Sequence, residues 1–330
     1  MKKPFTLAAA IAAAAAVLVP APYASAATGH VHDKPVVTDV KTAVAFDFAA
    51  GESAENITVN SDGSLTISQL GTPVGKPPKL EHISPSGHRT VLVTGQSGDG
   101  ILGNTRGPDG TLYYNVLSAD ASRSGVWALA PGGTPHRVAA LPTDGFPNGL
   151  TIDPSGRTLY VADSKKSTIW AVPASGGTAM VWLTDPALAP APASSFPLGA
   201  NGVRFHNGAV WVSNTEQGTL LRIPVTSTGA AGRIHVVTSQ VTGIDDFNFL
   251  SARSNVVFAA LNGPNEVAVV YPDGTTKTVL TVAEGLGSPT ATAVRGTWLY
   301  ITNAGFAAPN VAKLQQGKIN LSALFHDALS

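Results

Sequence analysis

Four oxygen-bearing side chains stand at the same phase of a sequence repeat: Glu55, Asn148, Asn201 and Asp245. Each precedes a short run of apolar or β-branched residues and then a polar turn, as in FPNGLTIDPSGRTLYVAD around Asn148. Two carboxylates and two amide carbonyls are hard ligands, and without His or Cys among them they favour Ca²⁺ over zinc. The pattern predicts one divalent cation at these four residues, with Mg²⁺, Mn²⁺ and Zn²⁺ as open alternatives. Asp246 directly follows Asp245 and is an alternative ligand.

The repeat has six copies, because Leu102 and Thr290 occupy the same position in two further segments. Consecutive positions are 47, 46, 53, 44 and 45 residues apart, the period of four-stranded propeller blades. Equivalent positions of all blades meet at the central axis of a propeller, so this fold would bring the ligands together. Burying Glu55 and Asp245 there without a cation would be costly, which favours a metal. The alternative is that the Asn-Gly pairs at Asn148 and Asn201 only form turns into the inner strands.

Short β-branched and aromatic runs follow one another from Val36 onward, punctuated by Gly, Pro, Asn and Asp, with no helical period. The predicted fold class is all-β, a six-bladed β-propeller with four-stranded blades. The last blade lacks residues, since only Asn310–Leu314 and Lys318–Leu324 remain for strands after Asn303. The segment Val37–Phe48 can supply the missing outer strand. We therefore expect the N- and C-terminal strands to close the ring.

The N-terminus has the pattern of an export signal. Lys2 and Lys3 precede an apolar, alanine-rich run, and the small residues 24–26 form a cleavage site. We expect residues 1–26 to be a secretory signal peptide, 27–35 a flexible N-terminus and 36–330 a single six-bladed propeller domain. The mature protein is then predicted to be secreted.

Composition excludes several classes of function. The chain has no cysteine, so disulfides, thiolate nucleophiles and cysteine zinc sites are excluded. Its 21 basic and 21 acidic residues give no electrostatic footprint for nucleic acid or for an anionic membrane. No later stretch reaches the roughly 18 apolar residues that span a bilayer. We expect a monomer that binds a small-molecule substrate and, after signal cleavage, neither nucleic acid nor membrane.

The chain resembles the SMP-30/gluconolactonase family, within the superfamily of six-bladed calcium-dependent lactonases and paraoxonase-like proteins. The resemblance is carried by the segment around Glu55, by PNG-(strand)-DPSGRTLYVADS at Asn148, by the Asn201-Gly202 phrase and by Asp245. It implies that a Glu, Asn residues and an Asp at the axis bind one divalent cation. It further implies hydrolysis of a lactone or ester, in which the cation polarises the carbonyl and Asp245 activates water.

Substrate contacts are expected on the face of the propeller that carries the ring positions. Thr290 of the ring, and Asn214 and Asn303 at the start of loops on that face, are the predicted substrate-binding residues. The loops Ser68–Glu81 and Asn303–Asn310 are long, rich in Gly, Pro and Ala and poor in charge, so they are predicted to form walls or a lid. An apolar or neutral substrate suits such walls better than a sugar phosphate.

The sequence departs from the family pattern at two ring positions and in its histidines. The usual first-blade phrase with Glu-Gly-Pro is replaced by Ala54-Glu55-Asn56, and the second blade carries Leu102. No histidine matches the dyad of the paraoxonase-like branch. Two other functions therefore stay open: a non-catalytic propeller that binds a ligand or protein around a structural cation, and non-hydrolytic chemistry of the strictosidine-synthase type.

Overall fold

The computed structural model describes residues 34–192, 194 and 197–326. The predicted signal peptide and most of the predicted flexible N-terminus lie outside these residues. Twenty-four strands within the described part of the chain form six four-stranded antiparallel sheets. The all-β class and the six-bladed propeller predicted from the repeat are confirmed.

Each blade begins with the inner strand that follows a ring position and continues outward in chain order. Blade 1 contains β2 (Ala54–Val59), β3 (Leu65–Gln69), β4 (Lys79–Ile83) and β5 (Arg89–Thr94). Blade 2 contains β6 (Gly100–Arg106), β7 (Leu112–Leu117), β8 (Gly125–Leu129) and β9 (His136–Ala140). Blade 3 contains β10 (Pro147–Ile152), β11 (Thr158–Asp163), β12 (Thr168–Pro173) and β13 (Met180–Thr184).

Blades 4 and 5 repeat this order. Blade 4 contains β14 (Ala200–His206), β15 (Ala209–Asn214), β16 (Thr219–Pro224) and β17 (His235–Thr238). Blade 5 contains β18 (Ile244–Phe249), β19 (Val257–Leu261), β20 (Glu266–Val270) and β21 (Thr276–Leu280). The described loops also contain short 3₁₀ helices at Phe48–Ala50, Thr72–Val74, Pro186–Leu188 and Val282–Glu284.

Blade 6 is assembled from both ends of the chain. It contains β22 (Pro289–Arg295), β23 (Trp298–Asn303), β24 (Lys313–Ile319) and, as its outer strand, β1 (Val37–Ala45). β1 pairs antiparallel with β24, from Val37↔Ile319 to Ala45↔Lys313. The closure of the ring by the N- and C-terminal strands is therefore as predicted.

The end of the chain differs from the expectation of two short strand segments. One strand, β24, is followed by a helix, α1 (Leu321–His326). Asn320 favours this helix because its Oδ1 accepts the backbone N–H of Ala323 at 3.2 Å. Leu324 then packs, fully buried, into the apolar core between blades 5 and 6. None of the described helices is both long and apolar enough to cross a membrane.

Apolar side chains hold the blades together face to face. Each junction between neighbouring blades has its own buried cluster within the described residues. Between blades 4 and 5, for example, Trp211 packs with Phe247 and Phe249. Ring contacts extend this cluster, since His206 stacks on Phe249 with 3.6 Å between ring centroids. The blades are thus fixed relative to one another, and the side chains at the axis with them.

Candidate functional site at the propeller axis

A β-bulge interrupts every inner strand at the ring position found in the sequence. In blades 1 to 5, two residues of the inner strand lie opposite one residue of the second strand. In blade 1 these two are Glu55 and Asn56, opposite Ser68. In blade 6, Thr290 alone is the extra residue. Because a bulge kinks a strand and redirects its side chains, it accounts for the way these residues face the axis rather than a neighbouring blade.

Glycine follows the ring position in blades 2, 3 and 4 and lets the inner strands approach closely. A Cβ atom on Gly149 would lie 2.4 Å from the backbone oxygen of Asn201, and one on Gly202 would lie 2.4 Å from Oδ1 of Asp246. No side chain fits at such distances. The Asn-Gly pairs therefore do more than enter a strand: Asn supplies the ring side chain and Gly the space beside it.

Three carboxyl groups are buried around the axis: Glu55 of blade 1 and Asp245 and Asp246 of blade 5. Burial and then the charge of Asp246 raise the pKa of Glu55 to about 8. The pKa of Asp245 is raised well above its ordinary value, first by burial and then by the charges of Glu55 and Asp246, against a lowering hydrogen bond from Asn201. Glu55 and Asp245 thus repel each other across the ring although blade 6 separates their strands.

Asp246 differs from Asp245 in its partners. Its Oδ2 accepts hydrogen bonds from Nη2 of Arg204 and from Nδ2 of Asn56, both at 2.5 Å, and its Oδ1 accepts the N–H of Phe247 at 2.7 Å. Burial raises the pKa of Asp246, while the Arg204 charge and these hydrogen bonds lower it. Asp246 is therefore fixed by three donors, whereas Asp245 has no ion pair with any described residue.

Hydroxyl groups on neighbouring loops hold the two ring asparagines. Nδ2 of Asn148 donates to Oγ of Ser164 at 3.3 Å, and Nδ2 of Asn201 donates to Oγ1 of Thr215 at 2.9 Å. Both asparagines are buried. Since their amide nitrogens serve as the donors, their amide oxygens are left to act as acceptors or metal ligands.

The predicted substrate-binding residues lie at the ring face but are engaged in internal hydrogen bonds. The Thr290 hydroxyl donates to the backbone oxygen of Ala54 at 3.0 Å, linking blades 6 and 1. The Asn214 amide donates to two backbone oxygens of the loop before blade 4, at 2.9 and 2.8 Å. The Asn303 amide donates to Oε1 of Gln315 at 3.0 Å. These bonds give all three side chains a part in holding loops and blades, and their contact with a substrate stays a prediction.

An apolar cluster gathers on the ring face beside these polar groups. It consists of four buried and two partly buried side chains: Leu70, Leu102, Leu117, Phe146, Leu198 and Phe306. Leu102 is the apolar member of the ring itself. Leu70 and Phe306 come from the two loops predicted to form walls or a lid. The cluster, called the apolar cap below, keeps water away from the ring and helps to explain the raised pKa values of the acids.

The donor set at the axis fits a hard divalent cation. No group of three or more His, Cys, Asp or Glu side chains that could hold a metal occurs among the described residues. A centre at the axis would instead combine the carboxylates of Glu55 and Asp245 with the amide oxygens of Asn148 and Asn201. Carboxylate oxygens and amide oxygens of side chains anchored through nitrogen are ligand types that such a cation accepts.

Sequence reasoning did not find three further residues of the axial region. Asn56 replaces the glycine that follows the ring position in other blades, and Arg204 is a charged residue inside an inner strand; both irregularities were visible in the sequence. Gln69 ends β3 at the position that Asn214 and Asn303 take in their blades, yet neither of its buried amide atoms has a partner among the described residues. No sequence signal distinguished it.

Known structures share this architecture. No protein-family model matches the sequence, and a search of curated proteins finds no match either. A gluconolactonase from Xanthomonas campestris is 15% identical with a TM-score of 0.62, covering 85% of this chain and 89% of its own. A calcium-binding regucalcin from Agrobacterium tumefaciens is 16% identical with a TM-score of 0.60, covering 84% and 94%. The chain has the propeller fold of these proteins.

A streptogramin B lyase also matches, at 16% identity and a TM-score of 0.57, with coverage of 86% of this chain and 98% of the lyase. The predicted resemblance to gluconolactonase-type propellers is thereby confirmed for the fold. At these identities the similarity concerns the fold alone. The structures that match include both a gluconolactonase and a lyase, so the fold does not decide the reaction. Chemistry has to be argued from the axial residues.

Proposed function

We propose that the protein is a secreted, divalent-metal-dependent hydrolase that opens a lactone or ester. The observation that carries this proposal is the pair of mutually repelling, buried carboxylates of Glu55 and Asp245 beside the anchored amides of Asn148 and Asn201. Such a group of ligands is costly to bury without a cation. The fold similarity to a gluconolactonase and to a calcium-binding protein agrees with it.

In this proposal Glu55, Asn148, Asn201 and Asp245 hold the cation, for which Ca²⁺ is favoured over Mg²⁺, Mn²⁺ and Zn²⁺. A bound divalent cation supplies Lewis-acid polarisation of the substrate carbonyl. Asp245 orients the attacking water and accepts its proton. Asp246 is unsuited to that role because Arg204, Asn56 and the Phe247 N–H already occupy its oxygens.

The reaction adds water across the acyl–oxygen bond. The water oxygen bonds to the carbonyl carbon, the bond from that carbon to the ring or ester oxygen breaks, and the leaving oxygen takes up a proton. The apolar cap makes a neutral substrate with an apolar substituent the best fit, because a charged one would lose its hydration against Leu70, Phe146 and Phe306.

Metal content is the first test. The mature protein, produced without residues 1–26, is analysed for bound metals and melted before and after EDTA and after Ca²⁺ is returned. We expect about one equivalent of cation and a reversible loss of stability. Asp245→Asn and Glu55→Gln should lower the bound metal, while the matched control Asp273→Asn, in an exposed turn between β20 and β21, should leave it unchanged.

Activity is tested with a panel of lactones that differ in the length of an apolar substituent. Hydrolysis that is lost in EDTA and in Asp245→Asn, but kept in Asp273→Asn, supports the proposal. A bound cation without turnover of any lactone or ester would instead indicate the binding propeller. No metal and an unchanged melt would make Asn148 and Asn201 turn formers only. Size-exclusion chromatography of the same sample tests the expected monomer.

A further inference from the structure

The opposite end of the propeller axis from the ring face holds a polar cavity of about 260 Å³. All six blades contribute to its wall. Four of the lining side chains stand three residues after the ring positions of their blades: Thr58, Thr105, Arg204 and Asn248. Since every inner strand runs away from the ring face, these residues lie beyond the ring acids along the axis. The cavity is therefore distinct from the candidate metal centre.

Arg204 separates the two sites. Its Nη2 is bonded to Asp246 and its Nη1 to the backbone oxygen of Val203, at 2.9 Å. No described residue accepts a hydrogen bond from its Nε, and the guanidinium lines the cavity. A guanidinium has five N–H groups, so donors remain for a second anion on the cavity side.

The neighbouring polar groups of the cavity are also donors. Oδ1 of Asn248 accepts the N–H of Phe249 at 2.8 Å. The Nδ2 atom of Asn248 has no partner among the described residues and is left to donate to a ligand. The Thr105 hydroxyl likewise has none there. Asn104 contributes an unpartnered amide oxygen, but that atom is fully buried behind the wall. The accessible polar groups therefore suit a ligand that accepts hydrogen bonds and carries negative charge.

The rest of the wall is aliphatic. Val59 and Val294 offer partly exposed aliphatic side chains between the polar groups, while the side chains of Ile57 and Leu150, which also line the cavity, are buried in the clusters between blades. With about 260 Å³, the cavity is large enough for a small organic molecule, since one water takes about 30 Å³ of liquid volume. A free phosphate would meet this aliphatic surface unfavourably, whereas a short hydrocarbon chain would bury against it.

We propose that this cavity is a binding site for a short-chain aliphatic carboxylate, whose carboxylate group bonds to Arg204 and Asn248 and whose chain packs against Val59 and Val294. The site is distinct from the ring centre, because Arg204 lines the cavity while its bond to Asp246 lies on the ring side. A carboxylate on the free side of the guanidinium leaves the Arg204–Asp246 bond in place.

The test is titration calorimetry of the mature protein with butyrate in EDTA, with n-butanol and inorganic phosphate as separate probes. Butyrate should bind at least tenfold more tightly than either. Asn248→Leu keeps the branched shape of the side chain and removes its donor, so it should weaken butyrate about tenfold. Arg204→Lys keeps the charge opposite Asp246 and loses the planar fork, so it should weaken butyrate as well.

Asp245→Asn is the control for the ring and should bind butyrate like the wild type. The melting temperature of each variant shows that it is folded. The proposal is overturned if butyrate does not bind, if butanol or phosphate binds as tightly, or if the folded Asn248→Leu and Arg204→Lys proteins both bind as the wild type does. Loss of binding in Asp245→Asn would also overturn it, because the carboxylate would then occupy the ring.

Discussion

Removing the charge of Glu55 without changing its shape tests the electrostatics of the axis. In the metal-free protein, burial and Asp246 raise the pKa of Glu55 from 4.5 to about 8. The folded state thus holds this proton more tightly than the unfolded state. Protonated Glu55 therefore contributes fully to the free energy of unfolding below pH 4.5. This contribution decreases as the pH rises from 4.5 to about 8, and it is lost above about pH 8. The raised pKa values of Asp245 and Asp246 act in the same direction.

The size of this contribution to the free energy of unfolding follows from the difference between the ordinary pKa of 4.5 and the pKa of about 8 in the folded protein. At about 1.4 kcal/mol for each pH unit, Glu55 alone accounts for on the order of 5 kcal/mol. Glu55→Gln should therefore melt close to the wild type at pH 4.5 and roughly 10 °C above it at pH 8.5. The assay is thermal unfolding by circular dichroism in EDTA across this range.

Two controls complete this experiment. Glu266→Gln, on β20 and away from the axis, keeps an acceptor for the Thr278 hydroxyl and should follow the pH profile of the wild type. Returning Ca²⁺ should raise the melting temperature of the wild type more at pH 8.5 than at pH 5, because a cation needs ionised carboxylates. Parallel pH profiles for wild type and Glu55→Gln in EDTA would refute the reasoning, since Glu55 would then ionise without cost.

Further predictions concern the inner strands, the closure of the ring and the buried ion pair. Gly149→Ala should lower the free energy of unfolding by at least about 2 kcal/mol in urea melts, because the new Cβ would lie 2.4 Å from the backbone oxygen of Asn201. Deleting Val37–Ala45 exposes the edge of β24, and size-exclusion chromatography should detect self-association. Asp246→Asn leaves Arg204 buried without its anion and should cost about 3 kcal/mol, most of which the double variant Asp246→Asn/Arg204→Met should restore.

Features that repeat along the chain could be predicted from the sequence. The spacing of the ring positions predicted the six blades. The shortage of residues after Asn303 predicted that Val37–Phe48 supplies the strand that closes the ring. Both depend on the chain's local pattern, which a single sequence displays. The helix α1 was missed because six residues are too few to show a period, and its stability comes from the burial of Leu324.

Contacts between distant blades could not be predicted in the same way. Asn56 and Asp246 are 190 residues apart and meet only because the ring closes. The same holds for the apolar cap, where Leu102 is joined by Phe306 from the last blade. Asp245 and Asp246 are neighbours in the sequence, and the sequence alone does not show which of the two carboxylates is free to bind a metal. The difference lies in Arg204, whose side chain reaches Asp246 from the neighbouring blade.

The pairing of β1 with β24 also constrains when the protein can fold. Val37 has to wait for Ile319, so no nascent chain can complete blade 6 before β24 has been synthesised. Until then β1 has no partner strand and the unfinished ring has an open edge, and exposed strand edges make folding intermediates prone to aggregation. The closed ring is therefore the last feature of the propeller that can form, because it needs β1 and β24 together.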